Sequence, residues 1–268
     1  MPGHAHGHEA DSAGQPWAGR SFTPNPAASD DGSAPPAFLA AMAAFRAGET
    51  GLAAVVDAVR ASRFLIPLVA VAGEEGLTEE GLRVDKTQEL SIITVSGPDG
   101  RPILPVFSSV AAMARWRADA RPVPADARRV ALAAASEQTD RVVIDATSDD
   151  TEVVLPRPAV WAIARGAEWT PALDDAEVLE AIAGPAEEHP EIIAVAPVAG
   201  DPGARGAGAE VVVRLAVAAG TSPERLRAVL GAIGERWSQD AMVAERVDSL
   251  SIQPVVLPAE GGAEQDPA

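Results

Sequence analysis

The sequence contains no cysteine and only four histidines. Without cysteine, disulfides, thiolate nucleophiles and cysteine-ligated zinc or iron–sulfur sites are excluded. Three histidines, His4, His6 and His8, lie at the start of the chain, and only His189 lies in its body. His189 falls between an acidic residue and a proline, which is typical of a surface loop. Catalysis by a Ser–His–Asp or Cys–His arrangement is therefore close to excluded.

The chain also lacks an excess of positive charge. Its formal net charge is −18, and Lys86 is its single lysine. Nucleic acids and anionic lipids both require a basic face, so the charge argues against nucleic-acid binding and membrane docking. The N-terminus lacks the basic and apolar regions of a secretory signal, and no apolar run reaches the length of a membrane span. We expect a soluble, cytoplasmic protein.

Both ends of the chain have the composition of flexible tails. Residues 1–36 are rich in Gly, Pro, Ser, Asp and Ala, and residues 259–268 are acidic and rich in Gly, so we predict disorder in both. Removal of Met1 would leave Pro-Gly-His, a terminus able to surround Cu(II) or Ni(II) in a square plane. The metal ligands would be His4, His6 and His8, but incidental, weak affinity of a low-complexity tail is the favoured interpretation.

Between the tails, the hydrophobic pattern predicts an α+β fold whose larger domain covers residues 37–185. This domain is predicted to hold a mixed sheet with an antiparallel hairpin and packed helices. Two short helices come first. The apolar run Phe64–Val71 then predicts a strand, which Pro67 places at an edge or a bulge, and an acidic loop, GEEGLTEEGLR, follows it.

The segments LSIITV and PILPVF are predicted to pair as the hairpin. They flank Gly97-Pro98-Asp99-Gly100, which has the composition of a turn, and Asp99 is explained by that turn. The next helix is predicted to begin at Ser108 or Ser109, with Val110, Met113 and Trp116 facing inward.

Residues 186–258 are predicted to form a smaller β-β-α-β domain. A helix that begins at Asp174 with Glu177, and ends at Gly184-Pro185, precedes this boundary. Thr221 and Glu224 offer a capping box for the helix of the small domain. The segment GDPGARGAGAE (200–210) precedes a strand, whereas a phosphate site needs a helix after its glycines, so we interpret it as a mobile hairpin loop.

Two features could carry function. Asp85 and Lys86 could form a local ion pair at the start of the hairpin, or a perturbed lysine could do chemistry there; a structural or partner-binding role is favoured. Trp169 stands in an extended segment between helices, where it would be an interface hot spot if exposed. If it is buried, it fixes that segment to the body, and this second interpretation is favoured.

A series of segments resembles the SseB family, named for enhanced serine sensitivity. They are RFLIPLVAV, VDKTQEL, PDGRPILPVFSSVAAMARW, ARPVP, RPAVWAIARGAEWTPA and DDAEVLEAI, and the resemblance to the family's N-terminal domain extends over about Phe38–Gly184. Residues from about 187 onward resemble the C-terminal half of longer members, and the His-rich start resembles a feature of an actinobacterial subgroup. The resemblance implies an α+β domain with no established enzymatic activity, no catalytic residues and no cofactor.

We therefore expect a non-enzymatic interaction or regulatory protein with a protein partner of unknown identity. The predicted contact surface consists of seven residues: Asp85, Lys86, Arg101, Phe107, Arg121, Pro122 and Trp169. Two alternatives stay open: a sensor that binds a small metabolite through the C-terminal α+β unit, and an enzyme that uses Lys86 with a carboxylate.

Overall fold

The computed structural model describes residues 30–71, 75–77, 83–85 and 89–256. His4, His6, His8 and Lys86 lie outside the described residues, as do most of the predicted tails. The elements below all lie in the compact unit formed by residues 32–268; the domain limits at 37–185 and 186–258 stay predictions. Among the described helices, none is long and apolar enough to cross a membrane.

Helices and strands are mixed along the chain, and the predicted α+β class is confirmed. The helices are α1 (Pro36–Arg46), α2 (Leu52–Arg60), α3 (Val110–Trp116), α4 (Ala127–Ser136), α5 (Arg157–Arg165), α6 (Ala176–Glu187), α7 (Pro223–Gln239) and α8 (Ala241–Arg246). The strands are β1 (Arg63–Val71), β2 (Glu75–Leu77), β3 (Arg83–Asp85), β4 (Glu89–Ile92), β5 (Val95–Ser96), β6 (Pro102–Val106), β7 (Arg121–Asp126), β8 (Arg141–Ile144), β9 (Val153–Leu155), β10 (Ile192–Ala199), β11 (Val211–Val217) and β12 (Leu250–Val256).

The main core is built on two sheets, β4-β1-β7 and β5-β6-β8-β9. They meet where Leu65 and Phe107 exchange two backbone hydrogen bonds, of 2.8 and 3.0 Å. Residues of α1, α2, α4 and α5 pack against these sheets, and the rings of Phe38 and Phe64 meet edge to face at 5.3 Å. The sheets therefore share one apolar core.

The prediction of an edge or bulge at Pro67 is wrong, because β1 is the middle strand of its sheet. On one side Pro67 lies opposite Pro122 of β7, and on the other side pairing with β4 begins only at Leu68. Amide directions alternate along a strand. The missing N–H of Pro67 therefore points to the same side as that of Leu65, into the gap before β4, where no ladder bond is lost.

The predicted hairpin is only partly correct. β5 and β6 do pair antiparallel across the turn, where Asp99 Oδ1 accepts from the Arg101 N–H at 3.1 Å. The first half of LSIITV instead forms β4, which pairs with β1. The acidic loop prediction is also wrong in part, because β2 lies within that loop and pairs with β3, which begins at its last residue.

One predicted helix cap is confirmed and two differ by one residue. The N-cap of α3 is Ser109, one of the two predicted serines, whereas the N-caps are Asp175 for α6 in place of Asp174 and Ser222 for α7 in place of Thr221. In each case the neighbouring residue offered the same kind of acceptor oxygen, and the local backbone decided between them. Helix α6 continues through Pro185, and Val110 is exposed rather than inward-facing.

The C-terminal part forms a second core around the sheet β10-β11-β12. β10 and β11 are antiparallel, whereas β12 runs parallel to β11 after the crossover through α7 and the short α8. The predicted β-β-α-β order is confirmed. Trp237 is buried on α7 and donates its indole N–H to the Ile182 carbonyl at 3.1 Å, which joins α7 to α6.

Candidate functional site

A buried ion pair joins the sheet β5-β6-β8-β9 to the segment that leads into β12. Arg141, at the start of β8, donates to Asp248 through Nε at 2.9 Å and through a guanidinium nitrogen. The two side chains are only 6% and 3% exposed. Arg141 also donates to Asp99 Oδ2 at 2.7 Å. Buried charges are tolerated when they are paired and hydrogen-bonded, so this contact fixes Asp248 in place.

Further groups satisfy the Asp248 carboxylate. Arg101 donates to it at 3.2 Å, the Arg157 backbone N–H at 3.1 Å and the Ser249 hydroxyl at 3.0 Å. We name Asp99, Arg101, Arg141 and Asp248 the charge cluster. The hydrogen bond from Arg101 lowers the pKa of Asp99, which favours the charged form of Asp99 beside the two guanidinium groups of the charge cluster.

Glu210, just before β11, borders the charge cluster. Its Oε2 accepts from the Asp248 N–H at 2.6 Å, and its own N–H donates to the Ser249 hydroxyl at 3.0 Å. Burial raises the pKa of Glu210 to about 7 from its ordinary 4.5, against the lowering effect of the hydrogen bond from Asp248. The residue lines a cavity of about 60 Å³ together with Asp201, Arg141 and Asp248.

Replacing Glu210 with glutamine is expected to change how stability depends on pH. The folded-state pKa lies above the unfolded one, so the stabilising contribution of Glu210 is fully present below pH about 4.5 and is lost as the pH rises to about 7. Glu210 is only partly buried. Over that pH interval we therefore expect the free energy of unfolding of the wild type to fall by about 2 kcal/mol more than that of Glu210→Gln. Urea denaturation of both proteins across this range measures the difference. Parallel curves for the two proteins would contradict the assignment.

The Gly-rich segment 200–210 is packed rather than loose, so its interpretation as a mobile loop is wrong. Ala204 is buried in the main core and its carbonyl accepts from the Val154 N–H at 2.7 Å. Arg46 donates to the Gly203 carbonyl at 2.7 Å. The Asp201 carboxylate accepts from the Gly206 N–H at 2.6 Å. The segment thus forms a hydrogen bond within itself and packs against β9.

A second buried polar pair lies at the carboxyl ends of the parallel strands β6 and β8. Asp145 accepts from the Ser108 N–H at 2.7 Å and from its hydroxyl at 2.6 Å. Asp145 has φ +51° and is 1% exposed, and Ser108 is 2% exposed. Ser108 is therefore closed to a substrate, and the pair fastens two strand ends. The helix cap is the neighbouring Ser109, whose hydroxyl accepts from the Ala112 N–H at 3.1 Å.

A groove runs along the edge of β12, which has no neighbouring strand among the described residues. Its volume is about 360 Å³, within the range of binding pockets. We name it the edge groove. Most of its lining residues are apolar. They come from α7, α8, the connection after α8, and β12: Gly234, Trp237, Ser238, Val243, Ala244, Val247, Asp248, Ser249, Leu250, Ser251 and Ile252. Asp248 thus belongs to both the charge cluster and the edge groove.

The predicted contact residues differ in burial and in position. Phe107 is fully buried against Trp116, so its prediction as a surface residue is wrong. Arg101 belongs to the charge cluster, and Arg121 and Pro122 are exposed on β7. Asp85 ends β3, next to Lys86 outside the described residues.

Trp169 is half-buried and packs against the main core. Its indole N–H is buried without an acceptor among the described residues. A role in binding for Trp169 and for the exposed predicted residues stays a prediction.

The model of the SseB protein N-terminal domain matches residues 38–162. The chain carries an SseB domain. The match begins with α1 and ends within α5, so it covers the main core and leaves α6 to β12 outside. No curated protein and no solved structure matches the chain.

The SseB domain supplies Asp99, Arg101 and Arg141 of the charge cluster, and Asp248 comes from the region after it. Sequence reasoning missed this arrangement, although Arg141 gives one signal: it is a cation directly before a run of buried strand residues. Among the described residues, no group of three or more His, Asp or Glu side chains is arranged to hold a metal ion.

Proposed function

We propose that this chain is a non-enzymatic interaction protein of the cytoplasm, which binds an extended apolar segment of a protein partner in the edge groove. The observation that carries the proposal is the position of that groove beside a sheet edge. Peptides commonly bind such an edge by adding a strand, with main-chain hydrogen bonds for affinity and pockets for alternate side chains.

The backbone of β12 is suited to this mode at its beginning. The Val211 N–H donates to the Ser249 carbonyl at 3.1 Å, so Ser249 faces β11. Because directions alternate along a strand, the amides of Leu250 and Ile252 face the open edge. Pro254 has no N–H to donate at that edge, so it disfavours pairing of another strand with the rest of β12. Strand addition is therefore limited to the stretch that borders the groove.

The side chains of the groove favour apolar contacts. Trp237, Val243 and Val247 form its floor in the second core, and Leu250 and Ile252 of β12 are partly buried beside them. A bound segment that places alternate apolar side chains here would cover this surface. Burial of apolar surface is favourable by about 25 cal/mol for each Å² removed from water.

The charge cluster is suited to a structural role. Its guanidinium groups and carboxylates bond to one another, which leaves them suited to fixing structure. The enzyme alternative rests on Lys86, outside the described residues. The metabolite-sensor alternative has one observation in its favour, the volume of the edge groove, and it predicts a small molecule in the same place.

Selection of random phage-displayed peptides on the purified protein tests the proposal. We expect enrichment of extended apolar sequences whose binding is lost in Gly234→Leu. An added Cβ at Gly234 meets nothing within 4 Å, so leucine fills the groove and also suits a helix better than glycine. Calorimetric titration of a selected peptide should show at least about tenfold weaker binding, roughly 1.4 kcal/mol.

Gly231→Leu is the matched control. Gly231 lies one turn earlier on α7, also has open space for a Cβ and does not line the groove, so the selected peptide should bind this variant like the wild type. Equal binding to Gly234→Leu would contradict the proposed site. A failed selection, together with a small molecule that co-purifies with the wild type and not with Gly234→Leu, would favour the sensor.

A further inference from the structure

The sheet β10-β11-β12 has one face that lies outside the second core, and we name it the open face. The odd-numbered residues of β11, from Val211 to Val217, are buried. Because side chains alternate along a strand, Val212, Arg214 and Ala216 lie on the opposite face. Their register partners on β10 and β12 share that face with them. The open face therefore has nine side chains, of which six are apolar: Ala194, Ala196, Val198, Val212, Ala216 and Val255.

The open face is apolar where a sheet in contact with water is normally polar. Sheets with one face on a core usually carry polar side chains on the other. Here Ala194, Ala196 and Val255 are exposed, and 44% of Val255 is accessible to solvent. A contiguous apolar surface of this kind is typical of an interaction site.

The dimensions of the open face match one α-helix. Neighbouring strands of a sheet lie about 4.8 Å apart, so the two outer strands are separated by about 10 Å, close to the diameter of a helix. The seven residues of β11 span about 20 Å, which is the length of a helix of about 14 residues. The alanines of the open face leave room for the close approach of such a helix.

Arg214 determines which charge a partner must carry. It is the one charged residue of the open face and lies at the middle of the central strand. Its Nε donates to the Gln253 side-chain oxygen at 3.2 Å, and among the described residues it forms no ion pair with a carboxylate. Burial of an unpaired guanidinium under a purely apolar surface is costly, so a helix that covers this face needs a carboxylate opposite Arg214.

A second copy of the chain does not meet this requirement. In a twofold-symmetric dimer both subunits present the same surface, so the two central Arg214 side chains would approach each other. We therefore propose that the open face binds an amphipathic α-helix of a protein partner, with an acidic residue inside the apolar stripe of that helix. The proposal does not depend on the edge groove, which lies on the α7 side of the sheet.

Selection of displayed helical peptides on the full chain tests the proposal. The library varies the residues of one helical stripe, including its central position. We expect enrichment of apolar stripes with a central Asp or Glu. A selected peptide should bind Arg214→Glu at least about tenfold more weakly than the wild type, as measured by fluorescence anisotropy. Replacing the central acid of the peptide with lysine should restore binding to Arg214→Glu, which also shows that this variant is folded.

Arg227→Glu is the matched control. Arg227 is exposed on α7, on the other side of the sheet, and its replacement makes the same change in net charge, so the selected peptide should bind this variant like the wild type. Equal losses in the two variants, or enriched helices without a central acid, would overturn the proposal, as would a selection that enriches no helix. A dimer that Ala196→Glu dissociates in sedimentation experiments would instead assign the open face to a second copy. Binding that appears only after removal of residues 257–268 would assign it to the end of this chain.

Discussion

Arg141→Met is expected to lower the free energy of unfolding by about 3–5 kcal/mol, because it leaves the Asp248 carboxylate as a buried charge without its main partner. Methionine retains most of the apolar volume of the arginine stem, so little of the loss comes from packing. Asp248 is 3% exposed. Arg101 is half-exposed and donates a single hydrogen bond to Asp248, so it does not replace the bidentate contact of Arg141.

Urea denaturation at neutral pH measures this loss, and two further variants identify its cause. Arg101→Met removes a cation of the same charge cluster whose side chain is 41% exposed, and it should cost no more than about 1 kcal/mol. In Arg141→Met combined with Asp248→Leu, most of the loss should be recovered because no charge remains buried. A cost for Arg141→Met no greater than that for Arg101→Met would show that the ion pair is not buried in solution.

Asp145→Ala is expected to lower the free energy of unfolding by about 3 kcal/mol. The variant loses two hydrogen bonds and leaves the Ser108 N–H and hydroxyl buried without their acceptor. It also places alanine at φ +51°, a conformation that aspartate and asparagine tolerate better than alanine.

Asp145→Asn separates these causes. Asparagine suits the backbone and keeps one oxygen acceptor for Ser108, so we expect it to lose less than half as much stability as alanine. Thermal unfolding followed by circular dichroism is sufficient for the comparison. If both variants were equally destabilised, the negative charge of Asp145, rather than its shape and backbone preference, would be responsible.

Local signals predicted the elements, and long-range contacts decided how they pair. The pattern of residues 186–258 predicted the β-β-α-β order, and Thr221 with Glu224 located the start of α7 to within one residue. The hairpin was misjudged because β4 finds a better partner in β1, which the sequence separates from it by two intervening strands. No local pattern shows which of two possible partners a short strand will choose.

The candidate site was the least predictable part for the same reason. Arg141 and Asp248 are separated by 107 residues, and nothing in the sequence pairs the one with the other. Phe107 was predicted as a contact residue, yet its ring is fully buried next to Trp116. The functional hypothesis for Asp85 and Lys86 stays a prediction.

The boundary of the SseB domain in sequence differs from the boundary set by its interactions. A fragment limited to residues 38–162 would contain Arg141 without Asp248 and the main core without Ala204. The N–H of Val154 on β9 would lose its acceptor as well. The region after the domain therefore completes it, and substitutions in the two regions are expected to be inherited together rather than exchanged as separate modules.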